Sequence, residues 1–445
     1  MKTMVQSARR LEGTIVVPGD KSISHRAAIF NALAKGDARV YNFSSGQDCD
    51  STLRCLGQLG VSIEERSASS DKNDPRELLI HGGGPQALKE PKTILNAGNS
   101  GTTIRLMSGM LAGQPFYSQI TGDRSLRSRP MGRIVEPLTR MGARIKGRKN
   151  NTLAPLSISG GNLQAIEHTL PVASAQVKSA LLLAGLFAKG ITIIHQPATS
   201  RDHTELMFRA MGINVESDGL TVSLTPKPLV PIDVEVPGDI SSAAFWLVAA
   251  IIHPNSSIKI VGVGLNPTRT GILDALLAMG ANIVVENVRA SGGETIADLV
   301  AQSSHLSAIK VDGAMIPRLI DEIPILAVAA LFARGTTEVR DAAELRLKES
   351  DRIKTTAQEL RRLGGQIDEL ADGMRIYGGG GLYGNSCHSH GDHRLAMTLA
   401  IAGLVAKGQT TVESAQVASV SYPSFWKTLQ HISGQGKAFG TKTQT

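Results

Sequence analysis

Two kinds of helix alternate along the 445 residues, and each kind ends in the same way at nearly every copy. The first kind is rich in Ala and Leu, stops at a Gly or Pro and re-enters a β-branched strand. It occupies 27–35 before Gly36, 103–112 before Gly113, 176–189 before Gly190, 243–253 before Pro254, 323–334 before Gly335 and 394–407 before Gly408. The second kind ends in Leu or Met followed by Gly: 53–59, 131–141, 204–211, 272–279 and 353–363, with a weaker copy at 423–432. Glycine just past the last periodic residue is the expected stop. Six copies of each predict six similar α/β units of about 70 residues, each with two helices among short strands. Stretches that are apolar on all sides, such as 181–187 and 325–332, are expected inside, with the more alternating strands forming outer layers.

A longer echo divides the six units into three and three. Val17-Pro18-Gly19-Asp20-Lys21-Ser22 returns as Val236-Pro237-Gly238-Asp239-Ile240-Ser241. Two similar domains follow, with crossovers near Asp20 and Asp239 and the strand before Asp20 belonging to the second half. The expected boundaries are 21–238 for an N-terminal domain, 1–20 with 239–434 for a C-terminal domain, and 435–445 for a flexible tail without apolar periodicity.

Hydrophobic content of 42% and a mean hydropathy of −0.01 suit a globular chain, and no run of about 18 apolar residues predicts a membrane span. Residues 1–10 are polar and basic with no apolar segment behind them, so no secretory leader is expected. Three cysteines, Cys49, Cys55 and Cys387, make no disulfide framework and suit a reducing cytosol. The net charge of +8 admits a nucleic-acid partner. However, the Lys and Arg are dispersed and not interleaved with aromatics, which favours small acidic ligands.

The cations stand at the wrong ends of helices. Lys21, Arg26, Arg105 and His393-Arg394 lie at or near the start of first-kind helices; Arg129-Pro130-Met131, Arg201-Asp202-His203, Thr268-Arg269 and Ser350-Asp351-Arg352 open second-kind ones. The helix dipole disfavours a cation there. Taken singly, each is a solvated or ion-paired side chain. Facing one cleft, they would attract a substrate with several negative charges, because arginine binds phosphate and carboxylate bidentately. The small-residue loop Asn96-Ala97-Gly98-Asn99-Ser100-Gly101-Thr102-Thr103 is either an ordinary turn or a backbone cradle for an anion; no Gly-Lys-Ser/Thr makes it a P-loop. Ser174-Ala175-Gln176 offers hydroxyl and amide contacts for sugar-like hydroxyls. Acid–base candidates are Asp321-Glu322, Lys348-Glu349 and His393, Asp321 being either a helix cap or a functional carboxylate. Cys387-His388-Ser389-His390-Gly391-Asp392-His393 is too crowded for metal-ligand spacing, so no metal is expected.

The motifs Pro18-Gly19-Asp20-Lys21-Ser22-Ile23-Ser24-His25-Arg26, Gly98-Asn99-Ser100-Gly101-Thr102, Arg129-Pro130-Met131, Ser174-Ala175-Gln176, Lys348-Glu349-Ser350-Asp351-Arg352 and Asp392-His393-Arg394, in this order, resemble the 5-enolpyruvylshikimate-3-phosphate (EPSP) synthases. Arg201-Asp202-His203-Thr204-Glu205, Ser174 to Lys178 and Asn266-Pro267-Thr268-Arg269 resemble the bacterial class II members. The resemblance implies a two-domain inverse α/β prism of six βαβαββ units, three per domain, with helices inside and sheets outside. It also implies transfer of the enolpyruvyl group of phosphoenolpyruvate to the 5-hydroxyl of shikimate 3-phosphate, with release of phosphate. The reaction implied is addition–elimination in an interdomain cleft, in the shikimate pathway of aromatic amino-acid biosynthesis, and needs no cofactor.

By the same resemblance, shikimate 3-phosphate is expected at Lys21, Ser22, Arg26, Ser174, Gln176, Ser200, Asp321 and Lys348. Phosphoenolpyruvate is expected at Lys21, Gly101, Arg129, Gln176, Arg352 and Arg394. Asp321 is expected to accept the 5-hydroxyl proton, and Glu349, with Lys21, to shuttle the proton at C3. The expected setting is a cytoplasmic monomer with no nucleic-acid or membrane partner. Some members have a second Ser where this chain has Ala175, and a Lys near the position of Val420. The class II motifs and Gly101 point in opposite directions on tolerance of the inhibitor glyphosate. The sister transferase acting on UDP-N-acetylglucosamine commonly uses a loop cysteine, which has no match here.

Overall fold

The computed structural model describes residues 1–67 and 76–434; the expected tail at 435–445 lies outside them. The chain divides into two compact units. An N-terminal unit comprises Gly19–Pro237 with Ala290–Glu294, and a C-terminal unit comprises Met1–Pro18, Gly238–Arg289 and Thr295–Thr445. Each has its own apolar core.

Among the described residues twelve α-helices have eight or more residues, two per repeat. In the N-terminal unit they are α1 (Lys21–Leu33), α2 (Gln47–Gln58), α3 (Gly101–Ala112), α4 (Gly132–Arg140), α5 (Ala175–Gly185) and α6 (His203–Ala210). In the C-terminal unit they are α7 (Ile240–Ile252), α8 (Gly271–Ala278), α9 (Ile323–Leu331), α10 (Arg352–Arg362), α11 (His393–Val405) and α12 (Phe425–Ser433). The odd-numbered helices are the first kind. α7 and α9 are buried along their whole length, and α1, α3, α5 and α11 nearly so. A helix apolar on every side must be surrounded by protein. The even-numbered helices are amphipathic: α2 and α10 bury one face and expose the other.

Six small sheets form the walls. In Leu95–Asn96, Tyr117–Thr121, Arg144–Gly147 and Leu153–Ser159 the first two strands pair in parallel across α3, and the last is inserted antiparallel between the second and third. Residues of Leu153–Ser159 alternate strictly between buried and half-buried, the signature of a sheet with one face on a core. The same order holds in the other two sheets of the unit and in two of the C-terminal unit. Each unit is thus an inverse α/β prism, with helices within and sheets without.

Three sheets borrow strands from far along the chain. Val234–Glu235 pairs in parallel with Lys35–Phe43 and supplies the first strand of the first repeat. Leu11–Val16 pairs with Ser256–Gly264 and begins the fourth. Lys2–Gln6 pairs antiparallel with Gln409–Glu413 and completes the sixth. At the crossovers the Asp20 N–H donates to the Pro237 carbonyl at 2.7 Å, and the Asp239 N–H to Pro18 at 2.9 Å.

Helix starts differ from the apolar pattern. α1 begins at Lys21, six residues before the apolar run, so Lys21 to Arg26 lie inside its first two turns; Asp20 caps it, accepting from Ile23 N at 2.9 Å. α2 begins at Gln47 and not at 53. Asp321 does not cap the long apolar helix: it sits in a 3-10 turn, Ile320–Glu322, ahead of α9.

The glycines after the even-numbered helices are required by backbone geometry. Gly60, Gly142, Gly212, Gly280 and Gly364 have φ between 84° and 111°. That region is open to glycine at little cost and strained for any residue with a Cβ. Gly57, by contrast, is helical in α2, and a Cβ there meets nothing within 4 Å. Gly142→Ala should therefore destabilise the N-terminal unit by about 1–3 kcal/mol, while Gly57→Ala stabilises it by about 0.5–1 kcal/mol. Thermal unfolding of the two variants checks this, and midpoints that move in the same direction would contradict it.

Candidate active site

Buried helices concentrate their unpaired N–H groups at their ends, and polar side chains bind those ends together in each unit. In the N-terminal unit, Lys21 opens α1 and donates from Nζ to Oδ2 of Asp48 in the first turn of α2, at 3.0 Å. His25 Nδ1 lies 2.7 Å from Thr52 Oγ1, which is 2.8 Å from Thr103 Oγ1 in α3. Burial pushes the His25 imidazole down to about 3, so it is neutral at pH 7 and serves packing, not charge. Thr102 and Arg105 of α3 both reach Gln176 of α5: Gln176 Nε2 donates to Thr102 Oγ1 at 3.0 Å, and Arg105 Nη1 donates to Gln176 Oε1 at 2.5 Å. The starts of α1, α3 and α5 are thereby joined.

Of the remaining expected contacts, Arg129 donates to Asn99 Oδ1 at 2.6 Å. A Cβ on Gly101 would lie 2.7 Å from Arg105 Nη1 and 3.5 Å from Arg129 Nη1, so the glycine faces two guanidinium groups. Arg26 is buried. It donates from Nη1 to the Ser22 carbonyl at 2.8 Å, from Nη2 to Ser179 Oγ at 2.6 Å and from Nε to Thr204 Oγ1 at 2.7 Å. Burial pushes its guanidinium down to about 10, still charged at neutral pH. Ser174 is the N-cap of α5, and the Ser200 hydroxyl donates to Gln196 Oε1 at 2.5 Å. Lys21, Ser22, Arg26, Gly101, Arg129, Ser174, Gln176 and Ser200 thus belong to the N-terminal unit.

The C-terminal unit carries the other five, centred on Arg352 at the start of α10. Its Nε donates to Asp392 Oδ2 at 2.7 Å, Nη2 to Glu349 Oε2 at 2.5 Å, and Nη1 to Asp321 Oδ1 at 3.3 Å. Lys348 Nζ is 3.4 Å from the same Asp321 oxygen. Burial opposes the Arg352 charge, but the three carboxylates outweigh it and hold the guanidinium above its ordinary range. Asp392 is likewise buried, and Arg352 keeps its carboxyl below the usual range against that burial. Asp392 also caps α11, accepting from Arg394 N at 2.9 Å. Arg394 Nη1 is 3.5 Å from Oε1 of buried Glu322, which also bonds the Ser241 hydroxyl at the start of α7. Arg269 braces the same corner, donating from Nη2 to Asp239 at 3.1 Å and Ser241 at 2.7 Å.

The sequence reading names the cations but not which carboxylates they meet: Asp48 is not singled out, Glu322 stands only as an acid–base candidate and Asp392 only within a motif. The His388–His390 segment is tied to Glu359, whose buried carboxylate accepts from the His388 N–H at 2.9 Å and lies 2.8 Å from His390 Nε2. Among the described residues no group of three or more His, Cys, Asp or Glu has metal-binding geometry, and no helix is long and apolar enough to cross a membrane.

Known proteins close to this chain in sequence and fold come from one family. The family model for EPSP synthase (3-phosphoshikimate 1-carboxyvinyltransferase) matches residues 5–429. The 3-phosphoshikimate 1-carboxyvinyltransferase of Desulforudis audaxviator is 52% identical over 433 residues, 97% of this chain and 99% of that protein. The enzyme of that name from Synechococcus elongatus is 54% identical over 429 residues, 95% and 94% of the two chains. The crystallised EPSP synthase of Acinetobacter baumannii superposes with a TM-score of 0.87 at 42% identity, covering 97% of this chain and 98% of that one. Likeness in sequence and in fold extends over the whole length, and the chain belongs to the EPSP synthase family.

Proposed function

We propose that the side chains gathered in the two units serve one reaction on one pair of substrates. As a member of its family the chain is an enolpyruvyl transferase: it moves the enolpyruvyl group of phosphoenolpyruvate to the 5-hydroxyl of shikimate 3-phosphate and releases phosphate. In this reading shikimate 3-phosphate meets Lys21, Ser22, Arg26, Ser174, Gln176, Ser200, Asp321 and Lys348. Phosphoenolpyruvate meets Lys21, Gly101, Arg129, Gln176, Arg352 and Arg394.

The observation that carries the reading is Arg352 between Asp321 and Glu349. One carboxylate is needed near the 5-hydroxyl and another near C3, and a single buried cation holds both beside it. Asp321 takes the hydroxyl proton as the oxygen bonds to C2, while Glu349, with Lys21, delivers a proton to C3. In the second half the C2–O bond to phosphate breaks, and Glu349 takes back a proton from the new methyl group. Arg129, Arg352 and Arg394 neutralise the phosphate and carboxylate of the enol as charge moves between them. We further read the chain as a cytoplasmic monomer without a nucleic-acid partner; three unpaired, buried thiols are in keeping with a reducing compartment.

Phosphate should be released when both substrates are present and not when either is omitted. Lys21→Met and Glu349→Gln should each lower kcat by about 10²-fold or more, the loss expected for a proton-transfer group; turnover near wild type would remove that residue from the mechanism. Gly101→Ala adds its methyl against Arg105 and Arg129. It should raise KM for phosphoenolpyruvate and weaken glyphosate by about tenfold, the equivalent of ~1.4 kcal/mol, with KM for shikimate 3-phosphate little changed. Equal loss for both substrates would contradict the placement of Gly101.

A further inference from the structure

Arg201-Asp202-His203-Thr204-Glu205 takes no part in the chemistry above, yet its last three residues all have buried polar partners, on three different elements. His203 Nδ1 lies 2.7 Å from Oε1 of Glu294, at the end of Ala290–Glu294. Thr204 Oγ1 accepts from Arg26 Nε at 2.7 Å and lies 2.7 Å from Ser179 Oγ, itself an acceptor for Arg26 Nη2. Glu205 Oε1 is 2.5 Å from Lys178 Nζ, which also donates at 3.4 Å to the Ser200 carbonyl. None of His203, Thr204, Glu205, Arg26, Lys178 and Ser179 is more than 2% exposed. Three consecutive residues at the start of α6 therefore grip the 290–294 segment, α1 and α5.

An arginine has five N–H donors in one plane. Bonds to Ser22, Ser179 and Thr204 fix that plane, and two of the three acceptors are hydroxyls held against each other. Lys178 would be a costly buried charge without Glu205, and paired it steadies the backbone of Ser200. We propose that the His203–Thr204–Glu205 turn is a positioning element for shikimate 3-phosphate. Thr204 sets the plane of Arg26, Glu205 acts through Lys178 on Ser200, and Glu294 holds the turn in place through His203. This rests on the assignment of Arg26 and Ser200 to that substrate.

The test is calorimetric titration of shikimate 3-phosphate into the full-length enzyme without phosphoenolpyruvate, alongside steady-state kinetics. Thr204→Val removes the acceptor for Arg26 Nε and keeps the shape. It should raise Kd and KM for shikimate 3-phosphate about tenfold, as expected for one hydrogen bond to a charged group, with KM for phosphoenolpyruvate and kcat unchanged within about twofold. Thr204→Ser, which keeps the hydroxyl, should restore the affinity. Glu294→Gln should raise the same two constants by about threefold, near the ~0.7 kcal/mol of a weakened contact, and carries the test alone if Thr204→Val does not fold. A fall in thermal stability with Kd unchanged, an equal rise of KM for both substrates, or no rescue by serine overturns the proposal. Arg26→Ala is run in parallel. Loss with Arg26→Ala but none with Thr204→Val or Glu294→Gln overturns the positioning role and leaves Arg26 assigned; no loss with Arg26→Ala overturns both.

Discussion

A helix that is apolar around its whole circumference has nowhere but its ends to be polar. α7 and α9 come nearest that limit, and the other first-kind helices are almost as deeply buried; most of the rest of the architecture follows. Sheets must wall the helices off from water on every side. The free N–H groups at the helix starts must find partners there, because the flanks offer none. Polar groups collect at these starts: Asp48, Thr52 and Thr103 in one unit, Ser241, Glu322 and Asp392 in the other.

The cations there are held by balance, not by the helix dipole, which works against them. Removing one partner from a buried ion pair costs about 3–5 kcal/mol, because the other charge is stranded. Arg352 escapes this with three carboxylates, and one of them, Asp392, also caps a helix. A site built in this way is charged without being empty of counter-charge. Arg352 is buried and already balanced by carboxylates in the folded protein. That distinguishes it from a row of solvated lysines, whose attraction for anions is screened by salt.

Local sequence carried the repeat well. The glycines at the ends of even-numbered helices are forced by φ near 90°, so they recur in register and reveal the period. The apolar interiors of the odd-numbered helices were equally plain. Helix starts were not plain, because residues 21–26 of α1 and 47–52 of α2 are largely polar and hide helical periodicity. The expected site residues could be named because their motifs are contiguous. Their supports could not: Lys178 with Glu205, and His203 with Glu294, are separated by 27 and 91 residues, and a lone carboxylate in a sequence does not announce which cation it will meet. Asp321 was left open between cap and functional group; the 3-10 turn that carries it ahead of α9 removes the first option.

The borrowed strands impose an order on synthesis. All three walls of the N-terminal unit have their strands once residue 235 has left the ribosome. The strand Lys2–Gln6, made before either of the other borrowed strands, pairs only with residues 409–413 among the described residues and must wait for them to emerge. At roughly 5–20 residues per second that wait is on the order of 10 s or more. Through this interval an early edge strand remains unsealed beside a growing chain, a period in which a nascent polypeptide is open to misassembly and to chaperones.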